Sequence, residues 1–65
     1  MSNQMPKQRL NERETSHYIG MSAAWLRIAR WKGIGPQYYR IGRTIRYDVR
    51  DLDAWLAMHR VETRI

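Results

Sequence analysis

The sequence predicts a small, mainly α-helical domain with one β-hairpin. The prediction rests on a length of 65 residues, two short helical stretches around a glycine-containing turn, and two runs of strand formers that flank Gly42. A chain this short forms one domain around one small core and leaves no room for a cleft between two lobes. The hydrophobic content of 43%, with three Trp and four Tyr residues, indicates a folded chain.

The first helix is expected over residues 12–19. Asn11 is a favourable N-cap, and Glu14, three residues later, can complete a capping box. Gly20 supplies the left-handed residue that ends the helix. Thr15, Tyr18 and Ile19 form a short apolar stripe along this helix.

The second helix is expected over residues 23 to about 32, between its cap Ser22 and the terminating Gly33. Two short helices joined by such a turn form a helix-turn-helix. Helical periodicity turns Leu26 and Ala29 toward the core. The residues that then face outward are Ala24, Arg27, Ile28 and Trp31. The two large apolar residues of this outward face could contact thymine methyl groups, a neighbouring protomer or the inside of the hairpin.

Residues 37–47 are predicted to form the hairpin, with Gly42 in its turn. A two-residue loop at 42–43 would pair Ile41 with Thr44 and put the two isoleucines of the hairpin on opposite faces. Burial favours a three-residue loop at 42–44, because a slip of one residue moves every side chain to the other face. The apolar pairs in that register are Ile41 with Ile45 and Tyr39 with Tyr47. The opposite face then holds Tyr38, Arg40 and Arg46.

The last helix is expected to begin after the cap Asp48, with Asp51 in its first turn, and to fade near Arg60. Four residues at spacings of three and four form the face that should pack inward: Leu52, Trp55, Leu56 and His59. The expected organisation is a flexible basic arm at 1–9, the folded domain at 10–60 and a frayed tail at 61–65.

The net charge of +6 is concentrated in one part of the chain. Residues 22–47 contain six basic residues and no acidic one, whereas the other positions contain six of each. A solvated surface normally mixes both signs, so a one-signed stretch beside aromatic residues indicates a site for a polyanion. The basic residues of this stretch are Arg27, Arg30, Lys32, Arg40, Arg43 and Arg46.

Composition argues against several other classes of protein. Without cysteine the chain has no disulfide, thiolate zinc site or thiol nucleophile, and His17 and His59 are too few for a zinc site. No apolar run approaches the roughly 20 residues of a membrane span, and the amino terminus lacks the apolar stretch of a signal peptide. We therefore expect a cytoplasmic protein that is not an enzyme and that uses no cofactor, metal or small-molecule substrate.

The order helix, turn, helix, hairpin, helix is that of a winged helix-turn-helix. Five segments carry a family resemblance: LNERE at 10–14, YIGMS at 18–22, RWKGIGP at 30–36, RIGRTIRY at 40–47 and DLDAWL at 51–56. Together they resemble the MerR-like helix-turn-helix of small excisionases from phages and mobile elements, over residues 10 to about 60. The resemblance implies an accessory protein that binds and bends attachment-site DNA and directs an integrase toward excision. Some relatives activate transcription instead.

We expect the second helix to enter the major groove of double-stranded DNA and the wing tip to meet phosphate or the adjacent minor groove. The predicted DNA-binding residues of the helix are Ser22, Ala23, Ala24, Arg27, Ile28, Arg30, Trp31 and Lys32. Those of the wing are Arg40, Arg43, Thr44 and Arg46. Further expected partners are an integrase or recombinase and copies of the chain that bind DNA cooperatively, with no membrane partner.

Two other functions stay open at this point. The first is a small transcriptional regulator of the same fold. The second, less favoured, is a protein-interaction module for an acidic partner. The absence of acidic residues from 22–47 favours DNA over a protein, because protein partners usually tolerate mixed charge.

Overall fold

The first helix of the helix-turn-helix is α1, which spans Glu12–Ile19 in the computed structural model of residues 8–63. The predicted capping box is present. Asn11 Oδ1 accepts a hydrogen bond from the Glu14 amide at 2.8 Å, and Glu14 Oε1 accepts one from the Asn11 amide at 2.9 Å. Gly20 ends the helix in the left-handed conformation, as predicted.

The second helix, α2, spans Ala23–Lys32 and also has the predicted ends. Ser22 Oγ accepts a hydrogen bond from the Trp25 amide at 2.9 Å, and Gly33 follows the last turn. Leu26 and Ala29 are buried, which confirms the predicted core stripe. The predicted outward residues of this helix are all exposed: Ala24, Arg27, Ile28 and Trp31.

The sheet has three antiparallel strands in the order β1-β3-β2: β1 is Arg9–Leu10, β2 is Tyr39–Ile41 and β3 is Thr44–Asp48. This architecture of three helices with a small sheet confirms the predicted fold class. Strand β1 was not predicted. It pairs Leu10 with Tyr47 and so carries an apolar side chain into the core. Residues 1–7 of the predicted arm lie outside the described residues, and its last position, Arg9, belongs to β1.

The predicted register of the hairpin is wrong. Strands β2 and β3 pair Ile41 with Thr44, Arg40 with Ile45 and Tyr39 with Arg46, so the loop has two residues. Gly42 has a φ of 62° and no non-glycine residue has a positive φ in residues 8–63, which is the pattern of a type II′ turn with glycine first. Directly opposed residues share a face, so Arg40 and Arg46 lie on opposite faces of the wing.

Burial explains this register once the helices are in place. The face that packs on the core carries Tyr38, Ile45 and Tyr47, and the rings of Tyr38 and Tyr47 lie 5.9 Å apart. Ile41 lies next to the turn, where its side chain is 65% exposed. The predicted register instead put Tyr39 and Ile41 on the core face and Tyr38 on the opposite face, whereas Tyr39 and Ile41 are exposed and Tyr38 packs on the core. The tip of the wing has no core residue to pack against. The alternation of apolar and polar residues near the tip therefore does not indicate the register.

The last helix, α3, spans Val49–Met58 and is capped by Asp48, as predicted. The predicted inward face is only partly correct. Leu52 is fully buried and Trp55 packs on Trp25, with ring centroids 5.8 Å apart. Leu56 and His59 are exposed instead. The physical reason is that α3 packs on the core cluster through Val49 and Leu52 and on Trp25 through Trp55, and that His59 lies beyond the last helical residue.

The elements meet in one apolar cluster of Leu10, Leu26, Tyr47 and Leu52. Thr15 of α1 is also fully buried, and its hydroxyl has no hydrogen-bond partner within residues 8–63. A hydrogen bond of 2.6 Å from the Tyr18 hydroxyl to Asp53 ties α1 to α3. None of the helices in the described part of the chain is long and apolar enough to cross a membrane.

Candidate nucleic-acid interface

An open cleft of about 430 Å³ lies between the first turn of α1, the side of α2 that carries Arg27 and Arg30, and the wing formed by β2 and β3. Within residues 8–63 its lining contains five arginines and one acid: Arg13, Arg27, Arg30, Arg43 and Arg46, with Glu12. Asn11, Thr44 and Ile45 complete the lining. We refer to this feature as the arginine cleft. It joins helix and wing into a single positive concave surface.

The arginine cleft brings together five of the predicted site residues. Arg27 and Arg30 come from α2, and Arg43, Thr44 and Arg46 come from the wing. The other predicted residues are not part of its lining: Ser22, Ala23, Ala24, Ile28, Trp31, Lys32 and Arg40. Trp31 is 85% exposed, so it does not pack on the inside of the wing. Contact with thymine methyl groups or with a neighbouring protomer remains compatible with its position.

Glu12 links two arginines of α2 to the start of α1. Its Oε1 lies 3.0 Å from Arg27 Nη1, and its Oε2 lies 2.8 Å from Arg30 Nη2. The surroundings of the two arginines differ, because the Arg27 side chain is 59% exposed and the Arg30 side chain is 14% exposed. Arg27 can therefore meet a ligand in solvent, whereas Arg30 lies mostly beneath the surface.

Arg30 is also bound to the core. Its Nη1 donates a hydrogen bond of 2.9 Å to the Tyr47 hydroxyl, and its guanidinium lies 5.9 Å from the centre of the Tyr38 ring. Burial lowers the pKa of Arg30, but the hydrogen bonds to Tyr47 and Glu12 raise it by more. The pKa therefore lies above its ordinary value, and the guanidinium stays charged. Burial raises the pKa of Tyr47, and the Arg30 guanidinium opposes that effect.

The wing presents arginines in three directions. Arg43 is exposed in the two-residue turn, beside the positive φ of Gly42. Arg40 and Arg46 extend from opposite faces, as their pairing partners require. Arg46 Nη1 donates to the Ile45 carbonyl at 2.8 Å, which restrains this side chain near the cleft. The planar fork of arginine suits a phosphate group at each of these positions.

Sequence reasoning missed the contribution of α1. Arg13 and Asn11 line the cleft, and Glu12 holds two of its arginines. The sequence explains Glu12 equally well as a first-turn charge on the helix dipole. No periodic signal could have indicated its partners, because they lie 15 and 18 positions away in the chain.

The chemistry available in the arginine cleft is anion binding through guanidinium donors. Groups of three or more His, Asp or Glu side chains that could hold a metal ion are absent from residues 8–63. No protein-family model matches this chain, and no curated protein matches it.

Proposed function

We propose that this protein binds double-stranded DNA, with α2 in the major groove and the wing against the neighbouring backbone. The observation that carries the proposal is the arginine cleft, in which Arg27 of α2 and Arg43 of the wing tip line the same concave surface. A major groove admits one α-helix, and phosphates that flank it would meet the wing.

The charge balance supports a polyanion over an acidic protein as the ligand. Five arginines surround the single acid Glu12 within the described lining, and that acid is already paired with two of them. Phosphate contacts of this kind release counterions and dominate the affinity of proteins for DNA. Base edges in the groove would then supply sequence selectivity.

Within DNA binding, we propose the role of an excisionase, which binds and bends attachment-site DNA to direct an integrase toward excision. The resemblance of residues 10–60 to small excisionases supports this role. A single module of this size buries only about 600–1,000 Å² on DNA, so several copies bound side by side would add affinity. Exposed Ile28 and Trp31 are available for contacts between such neighbours. A small transcriptional regulator is the alternative role.

The first test is a salt titration of duplex binding. We expect about four to six phosphate contacts per protomer and a log–log slope near −0.9 for each contact. Arg43→Ala should reduce the slope by about 0.9 and weaken binding to all duplexes alike. Arg60→Ala removes the same charge from an exposed position outside the arginine cleft and serves as the matched control. Affinity that is indifferent to salt would contradict DNA binding.

The second test separates excision from transcription control. Duplexes with one, two and three sites are titrated on circularly permuted probes, and the mobility of each complex reports loading and curvature. An excisionase should load cooperatively and bend the duplex, at an elastic cost of about 1–6 kcal/mol that extra contacts offset. Independent loading without a bend would favour the transcriptional regulator and leave DNA binding intact.

A further inference from the structure

Glu12 holds its two arginine partners in unequal ways. The bond to Arg30 is shielded, and the other end of that guanidinium is anchored on the Tyr47 hydroxyl. The bond to Arg27 is made at the open side of the arginine cleft, where that side chain is mostly exposed. An exposed ion pair contributes little free energy and exchanges with other anions. The carboxylate is therefore fixed from the Arg30 side and faces any ligand that approaches Arg27.

We propose that Glu12 is a specificity-determining residue that makes Arg27 select neutral base edges over phosphates. The inference rests on the proposed DNA binding and goes beyond it. Glu12 is the single acid in the described lining of the cleft, and its Oε1 is 3.0 Å from Arg27 Nη1. An anion bound to Arg27 would thus sit beside a carboxylate.

The discrimination follows from the charge of the two possible ligands. A backbone phosphate that binds Arg27 brings a negative charge next to Glu12, and the two repel each other. The guanine edge offers two acceptors, O6 and N7, without a net charge. A guanidinium has five donors, and the contact with Glu12 engages Nη1. Arg27 can therefore bind a base edge while it keeps its bond to Glu12.

Arg30 makes this arrangement stable. The carboxylate is held in place by a second bond of 2.8 Å to a guanidinium whose side chain is 14% exposed. Glu12 therefore stays in the cleft when a ligand competes for Arg27. Without that second anchor, a flexible glutamate could turn away into solvent and would impose no penalty on phosphate. The pair of arginines thus divides into one that positions Glu12 and one that meets DNA.

The test compares Glu12→Gln with the wild-type protein on two duplexes across a series of salt concentrations. One is a target duplex, whose sequence wild-type protein enriches from a random library, and the other is a random duplex. Glutamine keeps the length and an acceptor but removes the charge. We expect affinity for the random duplex to rise about two- to fivefold, the worth of an exposed ion pair, and affinity for the target to rise much less. The salt slope on random DNA should steepen by about 0.9, because Arg27 gains a phosphate.

Glu62→Gln is the matched control, because it removes the same charge from an exposed residue outside the cleft. It should leave the ratio of the two affinities unchanged, since Glu62 is not part of the cleft lining beside Arg27. In an Arg27→Ala background, Glu12→Gln should no longer change the ratio. Equal effects of Glu12→Gln and Glu62→Gln on both duplexes would overturn the inference.

Glu12→Asp supplies a second variant in case the glutamine variant does not fold, which circular dichroism reports. Aspartate keeps the negative charge beside Arg27, so the ratio of target to random affinity should stay near that of the wild-type protein. A folded Glu12→Asp variant that loses this ratio would contradict the inference. Wild-type protein that binds neither duplex would overturn the proposed function together with the inference. Salt-sensitive binding by the wild-type protein, with the same ratio of target to random affinity in Glu12→Gln, would overturn the inference alone.

Discussion

The apolar core and the arginine cleft lie along adjacent sides of the same helix, α2, and they use its residues in different ways. On the core side, Leu26 and Ala29 are buried and contribute to stability through packing. On the cleft side, Arg27 is exposed and its side chain is available to a ligand. The difference teaches that substitutions on one side of this ten-residue helix can alter stability and substitutions on the other side can alter ligand binding. The exception is a side chain that contacts both the core and the cleft.

Arg30 is that side chain. It lines the cleft, yet it donates to the buried Tyr47 and pairs with Glu12. A count of basic residues treats Arg27 and Arg30 as equivalent DNA contacts, but their burial separates them. We expect Arg30 to act mainly by holding Glu12 and Tyr47 in place. Four substitutions test this division between core and cleft.

Arg30→Ala should have the largest effect on stability. It removes the hydrogen-bond partner of the fully buried Tyr47 and one of the two partners of the half-buried Glu12. We expect the free energy of unfolding to fall by about 2–3 kcal/mol, as measured by urea denaturation. Arg27→Ala is the control from the exposed side and should change it by no more than about 0.5 kcal/mol. Equal losses for the two variants would remove the distinction between the two sides of α2.

Arg27→Ala should have the largest effect on selectivity. If Arg27 contacts a base edge, binding to the target duplex weakens by about 1–3 kcal/mol, and binding to random DNA weakens less. Competition titrations with both duplexes measure this difference. Arg43→Ala should weaken binding to both duplexes by similar amounts, because wing-tip contacts with phosphate carry little sequence information. Equal losses on target and random DNA for Arg27→Ala would assign it to the backbone instead.

Thr15→Val should change the core without changing the cleft. The Thr15 hydroxyl is buried and lacks a hydrogen-bond partner within residues 8–63. Valine has nearly the same shape and removes the cost of that desolvated hydroxyl. We expect unfolding to require about 1 kcal/mol more, with unchanged DNA affinity. The same replacement at exposed Thr44, measured for stability alone, is the control. A destabilised Thr15→Val variant would indicate that the hydroxyl is satisfied.

Asp48→Asn should have the smallest effect and only a pH-dependent one. Hydrogen bonds from the Arg50 side chain and backbone lower the pKa of Asp48. A lowered pKa adds stability above the ordinary carboxyl range, and this stability is lost as the pH falls through the pKa of the folded state. Asparagine is an equally good N-cap. The difference in unfolding free energy between the two proteins should therefore shrink from about pH 5 downward. A constant difference would contradict this account.

The division between core and cleft could be predicted from sequence only in part. Periodicity correctly separated Leu26 and Ala29 from the exposed side of α2. It also put Arg27, and not Arg30, among the outward residues, but the count of basic residues grouped both as DNA contacts. Neither signal indicated that Arg30 reaches Tyr47 and Glu12, because an arginine stem can run along apolar surface while its head reaches polar partners. For α3, periodicity identified Leu52 but extended the inward face too far, to Leu56 and His59. The apolar stripe of α3 does not indicate how far along the helix the neighbouring elements continue to pack on it.

The sequence by itself determined the bounds of α1 and α2 and the location of the net charge. Capping at Asn11 and Ser22 and termination at Gly20 and Gly33 depend on hydrogen bonds and dihedral angles within about four residues. Because these signals depend only on neighbouring residues in the chain, the bounds of α1 and α2 follow from them. The location of the net charge in residues 22–47 is likewise a property of the chain.

Only the tertiary structure decided which strands pair, which register they take and which arginines contact Glu12. Strand β1 has two residues and exists because β3 offers it an edge. The register of β2 follows from the packing of Tyr38 against Tyr47. Glu12 reaches Arg27 and Arg30 because α1 packs on α2. Each contact joins residues distant in sequence, and its free energy depends on burial that no local pattern encodes.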